Sequence, residues 1–287
     1  MRRAASRGVS LAWVALAYAA GGLGAWAVGL LLPGRHPVLV GLLADVAATL
    51  VVFAFSAALS NSSVYDPYWS LAPIVLVGYW WLQTGARFEL PALAALALVA
   101  WWGLRLTWNW VRRWNGLTDE DWRYVQMRER YGRFYWPVSL AGIHLVPTLL
   151  VFAGCLPLYP LLTDPPARGG WATLAGLSFT AAAVTLETSA DRQLWRWRAS
   201  GRRGALRSGL WGRCRHPNYL GEILFWWGLF LSGVATEPAW WPAVAGPLAI
   251  TALFLGVSIP WKDRRMRERH PGSENLPAMI PRLRSPG

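Results

Sequence analysis

The sharpest cluster of groups capable of chemistry lies between Gly209 and Glu222. Pro217 suits the first turn of a helix, where its missing N–H is harmless. That helix would present four polar groups spaced by three and four residues, hence on one face. The four groups belong to Arg215, Asn218, Tyr219 and Glu222. An interfacial anchor would explain the arginine and the tyrosine, but not the amide and the carboxylate, which lie deeper, so the pattern favours a ligand site.

A second cluster covers Glu187–Arg198, at the end of an apolar block. Two carboxylates, a tryptophan and a cation step by four, four and three residues along one helical face. They are Glu187, Asp191, Trp195 and Arg198. The carboxylates could accept hydrogen bonds from ribose hydroxyls or an amide, and arginines can bind phosphate bidentately. Ion pairs within the helix explain this stretch equally well when it is taken alone.

Two further polar stretches are less specific. In Asn61–Trp69, Asp66 is predicted to cap a helix that starts at Pro67, a role that does not exclude a second one. The stretch Arg105–Tyr124 mixes both signs of charge, which is typical of a solvated, ion-paired loop helix. Its arginines could also close over phosphates.

The sequence contains no G-x-G-x-x-G, Walker or G-x-S-x-G motif, which excludes a soluble nucleotide-binding fold. Its histidines are too scattered for a metal site, and its two cysteines indicate neither a disulfide framework nor a metal site. These residues are His36, His144, His216, His270, Cys155 and Cys214. Any cofactor must therefore bind at the cytoplasmic mouth of a helix bundle.

Long apolar blocks must position these groups. Hydrophobic residues make up 54% of the chain and charged residues 15%, against about 25% charged in a soluble domain. The apolar blocks are of roughly 20 residues, the length that crosses a ~30 Å hydrocarbon layer. They cover 10–32, 38–59, 67–84, 90–110, 139–162, 171–189, 218–235 and 240–260. We predict an all-α polytopic transmembrane bundle of about 7–8 spans, a single domain over 1–287, with seven spans if the first block is a secretory signal.

The basic residues predict the orientation. If the N-terminus is cytoplasmic and every block spans, 24 of the 28 lysines and arginines lie in cytoplasmic segments, as the positive-inside rule requires. Those segments hold three at the N-terminus, six in the fourth-to-fifth loop, eight in the sixth-to-seventh loop and seven in the C-terminal tail. Both termini are then cytoplasmic, and the expected location is the plasma membrane, which is the inner membrane if the cell is bacterial. The net charge of +13 serves topology and contact with anionic lipid, and nucleic acid is not an expected partner.

The Gly209–Glu222 stretch resembles the C-terminal signature of the steroid 5α-reductase superfamily, and most closely its bacterial branch, often labelled DUF1295. The matching residues are Gly209-Leu210-Trp211, Arg215-His216-Pro217-Asn218-Tyr219 and Gly221-Glu222. Weaker matches extend the resemblance over about residues 60–282. They include Val64, Asp66, Trp69, Arg105, Asp121, Arg123, Tyr124, Glu187, Ala190, Asp191, Gln193, Ser258, Ile259-Pro260 and Ile280-Pro281.

The resemblance implies NADPH-dependent reduction of a C=C bond conjugated to a carbonyl, in a steroid, sterol or isoprenoid-like substrate that enters from the bilayer. The residues that match the family's cofactor positions are Asp191, Arg198, Asn218 and Glu222. The further cofactor-binding candidates are Glu187, Arg123, Tyr124, Arg215, His216 and Tyr219. Asp66 is the nearest acidic counterpart of a Gln-Glu pair in an early span of the steroid enzymes, and Tyr65 stands beside it. Both are the catalytic candidates.

Three alternatives about the ligand stay open. Arginine-rich loops favour NADPH over NADH, because the 2′-phosphate needs cations. A membrane methyltransferase of the isoprenylcysteine carboxyl type, which uses S-adenosylmethionine, shares an Arg-His-Pro-x-Tyr-x-Gly core with this chain, although Asp191, Asn218 and Glu222 favour the reductase. A lipid-binding protein without activity would bind neither cofactor. The tyrosine of the steroid enzymes is replaced by Trp108 or Asn109, so specificity for a steroid is not implied, and the sequence gives no oligomeric state.

Overall fold

A computed structural model describes residues 6–86, 88–163, 170–202 and 204–269. Helices, joined by turns and loops, are the regular secondary structure of these residues, which contain no β-strand. The chain divides into two compact units, Met1–Thr163 and Asp164–Gly287. Some sequence predictions lie outside the described residues. They concern Arg2, Arg3, Arg87, Arg168, Arg203, His270, Ile280-Pro281, Arg282 and Arg284.

Unit 1 is built from long antiparallel helices followed by shorter ones. Its helices are α1 (Arg7–Leu31), α2 (Pro37–Ala58), α3 (Tyr68–Gln83), α4 (Leu90–Arg113), α5 (Trp122–Tyr131), α6 (Tyr135–Ser139), α7 (Val146–Cys155) and α8 (Leu158–Thr163). From Trp122 to Cys155 the chain is helical without a break. The fifth apolar block, predicted to cover 139–162, therefore begins inside this longer helix and ends in α8. The longer helix begins where it does because the Asp121 carboxylate accepts a hydrogen bond from the Arg123 backbone N–H at 2.9 Å, as an N-cap does.

Unit 2 contains α9 (Gly170–Ala199), α10 (Pro217–Thr236), α11 (Ala245–Leu253) and α12 (Ile259–Arg269). The helix predicted to start at Pro217 does start there. The sixth apolar block, predicted to end at 189, continues as helix for ten residues into polar sequence, so the whole Glu187–Arg198 cluster lies in α9. Its face of carboxylates and cation is thus helical, as the spacing predicts.

Within the described ranges, six helical stretches are long and apolar enough to cross a membrane. This confirms the predicted polytopic helical bundle. Of the eight predicted spans, two do not meet both criteria: α3 has only 16 residues, or about 24 Å at 1.5 Å per residue. The other is α9, which is long but carries serine and threonine along its first half and charged residues from Glu187 onwards.

Three segments predicted to share one membrane face meet at one end of unit 1. They are the start of α1, the α2–α3 connection and the α4–α5 connection. The Arg7 guanidinium donates to the Trp114 carbonyl at 3.0 Å, and the Asn61 amide donates to the Leu117 carbonyl at 2.9 Å. These contacts agree with the prediction that the first four spans run alternately up and down, which places the three segments on one side. Which side faces the cytoplasm stays a prediction.

Candidate functional site

In unit 2, α9 and α10 approach each other closely at the signature. A Cβ added to Gly221 would stand 2.8 Å from Glu187 Cβ and 3.0 Å from the Ala183 carbonyl oxygen, closer than real side chains pack. Glycine therefore lets α10 contact the backbone of α9, the small-residue packing common between helices in membranes. The sequence predicted a close approach to Gly221, and the partner is α9.

This crossing buries two carboxylates. The side chains of Glu187 and Glu222 are each 3% exposed. Glu222 Oε1 accepts a hydrogen bond from the Trp226 indole N–H at 2.9 Å, one helical turn further along α10. Acidic groups are buried in such places only with compensating partners, so this end of unit 2 is organised around two buried carboxyl groups.

Asn218, one turn before Glu222, has a side-chain oxygen Oδ1 that is buried and has no hydrogen-bond partner among the described residues. A buried amide oxygen without a partner costs roughly 1–3 kcal/mol. An N–H or O–H group of a bound molecule would remove that cost. Among the described residues, the amide that the sequence singled out thus has a buried oxygen to which a ligand can donate a hydrogen bond.

Arg215 does not share the α10 face with Asn218, contrary to the sequence prediction, because the helix begins two residues later at Pro217. Its guanidinium Nη1 pairs instead with Asp263 Oδ2 of α12 at 2.8 Å. The neighbouring His216, only 1% exposed, places Nε2 2.7 Å from the other oxygen, Oδ1, of the same carboxylate. Burial lowers the pKa of His216, and the Asp263 carboxylate opposes that change.

The Gly209-Leu210-Trp211 part of the signature attaches to α9. The Leu210 backbone N–H donates to Gln193 Oε1 at 2.9 Å, and the Trp211 indole donates to the Ala190 carbonyl at 2.9 Å. Gly209 has φ +61°, and a Cβ there would lie 2.6 Å from Gln193 Oε1, so glycine is required. On the same helix Asp191 is half-buried and Arg198 is exposed.

In unit 1 the structure brings together three candidates, Asp66, Arg123 and Tyr124. The Tyr124 hydroxyl donates to Asp66 Oδ1 at 2.6 Å. The Arg123 guanidinium binds Asp121 with both its Nε and its Nη2, at 2.8 and 3.2 Å. Burial, reinforced by the nearby Asp121 charge, raises the pKa of Asp66 from 3.8 to about 6.

Asp66 does not cap α3, contrary to the prediction. The helix begins at Tyr68 with Pro67 in the cap position and no side-chain hydrogen bond there. The physical reason is competition for the carboxylate: the Tyr124 hydroxyl, from a segment 58 residues away, holds it at short range. The local signal of Asp before Pro is genuine, and a tertiary contact overrides it.

Tyr65, the other catalytic candidate, faces a different set of groups from Asp66. It is 1% exposed; its hydroxyl lies 2.7 Å from the Thr148 hydroxyl, and its ring lies 4.6 Å from the ring of His144. Burial raises the pKa of Tyr65 well above its usual value. The two candidates adjacent in sequence therefore do not form one acid–base pair.

Sequence reasoning missed an acid within an apolar helix. Asp45 lies in the middle of α2, where its Oδ1 accepts a hydrogen bond from the Tyr68 hydroxyl at 2.7 Å. Thr49 also hydrogen-bonds to Tyr68 and lies 2.8 Å from Thr148. The signal was available, because a carboxylate inside a predicted span is a functional candidate by default.

A second missed group, Glu120, joins three segments of unit 1. Its Oε1 accepts from the Ser62 backbone N–H at 2.8 Å and pairs with Arg128 at 3.0 Å. The Arg128 guanidinium also lies over the Tyr135 ring, 4.0 Å from its centroid. This cluster fastens the α2–α3 connection to α5 and α6. In the residues that the structure describes, no set of three or more histidine, cysteine or acidic side chains is arranged to hold a metal ion.

The family model for a protein of unknown function (DUF1295) matches residues 52–278. The chain belongs to this family. It is also 26% identical, over 264 residues, to an uncharacterized protein of Schizosaccharomyces pombe, an alignment that covers 82% of this chain and 76% of the yeast protein. No solved structure matches the chain. The matched range includes both units' clusters, from Tyr65 to Asp263.

Proposed function

We propose that this protein is an NADPH-dependent membrane reductase that saturates a C=C bond conjugated to a carbonyl in an apolar substrate. The observation that carries the proposal is the start of α10, where the buried oxygen Asn218 Oδ1 has no partner beside two buried glutamates. The likeness of the same residues to the steroid 5α-reductase signature supports the choice of cofactor. The family description itself assigns no activity.

The residues of this end of unit 2 fit a dinucleotide. The Asn218 oxygen can accept from an amide N–H, and the half-buried Asp191 carboxylate can accept from ribose hydroxyls. Exposed arginines such as Arg198 suit phosphate because of their planar fork of donors. When bound, NADPH supplies the hydride that adds to the β-carbon, and a proton added at the α-carbon completes the saturated product. The protein's part is to bind and orient.

A hydrogen-bonded pair of side chains in unit 1, Tyr68 and Asp45, is a candidate donor of a proton to the substrate's carbonyl oxygen. The Tyr68 phenol is hydrogen-bonded to the Asp45 carboxyl between two apolar helices. With the carboxyl protonated, the pair has two hydroxyl protons and needs only one for its own hydrogen bond. The other can be donated to a carbonyl oxygen as negative charge develops there, the type of electrostatic stabilisation that contributes most to such reactions. Tyr68 and Asp45 thus join Tyr65 and Asp66 as candidates for the catalytic groups.

The binding test uses the full chain in lipid nanodiscs, titrated with NADPH, NADH and S-adenosylmethionine while thermal stability and tryptophan fluorescence are followed. NADPH should stabilise the wild type, and Asn218→Ala should weaken its binding about tenfold, the effect of one buried hydrogen bond. Gln126→Ala, an exposed amide on α5, is the matched control and should bind like the wild type. Stabilisation by S-adenosylmethionine alone would favour the methyltransferase, and no response to either would favour a lipid-binding role.

The activity test follows NADPH oxidation with a panel of steroid, sterol and isoprenoid enones. Tyr68→Phe should lower kcat by at least about tenfold if the Asp45–Tyr68 pair stabilises the transition state. Tyr79→Phe, on the same helix α3, provides a control that removes a phenol hydroxyl elsewhere. Equal rates for the two variants would exclude Tyr68 and leave Tyr65 and Asp66.

A further inference from the structure

Asp263 lies in α12 within a strongly basic sequence that includes Lys262 and Arg264. By sequence alone that segment is a topology signal. In the structure, however, the two carboxylate oxygens of Asp263 contact two consecutive residues of the signature: Oδ2 pairs with Arg215 at 2.8 Å and Oδ1 lies 2.7 Å from His216 Nε2. The partners are separated by 48 and 47 residues in the chain. A single carboxylate is thus shared by two donors from one turn.

The start of α10 contacts α12 through further residues. His216 occupies the cap position, and its side chain makes no capping hydrogen bond. Its buried ring is turned towards α12 instead, and it stacks on the Tyr219 ring with centroids 5.4 Å apart. Lys262, also from α12, donates to the Tyr219 hydroxyl at 3.3 Å. The groups around the imidazole are therefore Asp263, Lys262, Arg215 and Tyr219.

This geometry also determines the histidine tautomer. A carboxylate oxygen only accepts, so the proton of a neutral His216 sits on Nε2 and is donated to Asp263. With both oxygens of Asp263 engaged, rotation of either the carboxylate or the imidazole breaks a charge-assisted hydrogen bond. We call the contacts of Asp263 with Arg215 and His216 the Asp263 clamp. The clamp fixes the backbone of the Arg215–Tyr219 segment, and with it the direction of the Asn218 amide.

We infer that Asp263 is a positioning residue: by holding Arg215 and His216 from α12, it fixes the segment that presents Asn218 to a ligand. Its consequence for NADPH affinity rests on the proposed function, while the clamp itself does not. Asp263 then acts on the geometry of the site through Arg215 and His216. Arg215, one of the further cofactor-binding candidates, thus has a structural role through its ion pair with Asp263.

The test compares Asp263→Asn, Asp263→Glu and Glu268→Gln in the full chain. Asparagine has one side-chain oxygen, so it can accept from only one of the two donors and turns an N–H towards the other. Glu268 is an exposed carboxylate on the same helix, so its variant removes the same charge from α12 without touching the clamp. Thermal stability of each variant checks that it is folded.

The direct readout is nitrogen-15 NMR of the four histidines, with the His216 signal assigned by its disappearance in His216→Gln. Asp263→Asn should lower the pKa of His216 further, because the carboxylate that supports its charged form is gone. Asp263→Glu should recover part of the wild-type titration, and Glu268→Gln all of it. An unchanged His216 titration and tautomer in Asp263→Asn would overturn the clamp.

The second readout is NADPH affinity. Asp263→Asn should raise the Kd about tenfold, the loss of a hydrogen bond to a charged group, with partial rescue by Asp263→Glu. Wild-type affinity in Asp263→Asn, with a wild type that binds NADPH, would overturn the positioning role. A wild type that binds no NADPH would instead reject the proposed function, and the imidazole titration would then decide the clamp by itself.

Discussion

Asp66, which lies outside the membrane-spanning segments, is a carboxyl group whose ionised form is destabilised by the fold. Burial and the Asp121 charge raise its pKa from 3.8 to about 6, so the folded protein binds this proton more tightly than the unfolded chain does. The contribution of Asp66 to the free energy of unfolding is therefore highest below pH 3.8, declines as the pH rises to about 6, and stays low above it. Replacing Asp66 by asparagine removes the charge and keeps an oxygen for the Tyr124 hydroxyl.

The pKa difference corresponds to at most about 3 kcal/mol. Because Asp66 keeps part of its surface accessible, solvent screening reduces the expected gain of Asp66→Asn to about 1.5 kcal/mol at pH 7.5. For a chain of this size that raises Tm by about 3–6 °C. At pH 4.5 the gain should shrink to about a third, since the wild-type carboxyl is then largely protonated in the folded state.

The assay is thermal unfolding in detergent micelles from pH 4.5 to 8, followed by the fluorescence of the 21 tryptophans. Glu129→Gln, an exposed carboxylate on α5, is the control and should change Tm little at any pH. A lower Tm for Asp66→Asn than for the wild type at pH 7.5 would refute the reasoning, because it would mean that attraction to Arg123 outweighs burial. If Asp66 also acts in catalysis, the stabilised variant should lose reductase activity, as strained active-site groups often do.

Two other predictions follow from contacts in unit 2. Gly221→Ala should destabilise the protein by about 1–3 kcal/mol, because the added Cβ would lie 2.8 Å from Glu187 Cβ on α9. The control is Gly22→Ala, where an added Cβ has no neighbour within 4 Å, and this variant should change the melting temperature little. Equal effects of the two variants in thermal unfolding would contradict the close contact between α9 and α10. Arg198→Ala should lower the preference for NADPH over NADH about fivefold, a modest effect because Arg198 is exposed and exposed charge pairs are weak. Arg202→Ala, also exposed, is its control, and equal NADPH and NADH affinities in the wild type would reject the preference itself.

The sequence by itself determined the helical membrane class, the position at which α10 starts and the helical face from Glu187 to Arg198. Each of these is a local property: apolar length, a proline at a first turn and a period of 3.6 residues are all encoded within one segment. The same locality explains why Asn218 and Glu222 could be selected. Their depth follows from counting along a single helix.

Only the tertiary structure decided which polar groups meet. Asp263 seemed part of a basic tail until α12 placed it against Arg215 and His216, and Asp66 seemed a helix cap until Tyr124 took its carboxylate. Asp45 of α2 becomes a candidate only because it accepts a hydrogen bond from the Tyr68 hydroxyl of α3. These partners lie 23 to 58 residues apart along the chain. The residue pattern of one helix does not specify how a neighbouring helix is rotated about its own axis. That rotation is set by the packing between the two helices, for example by the close contact of Gly221 with α9.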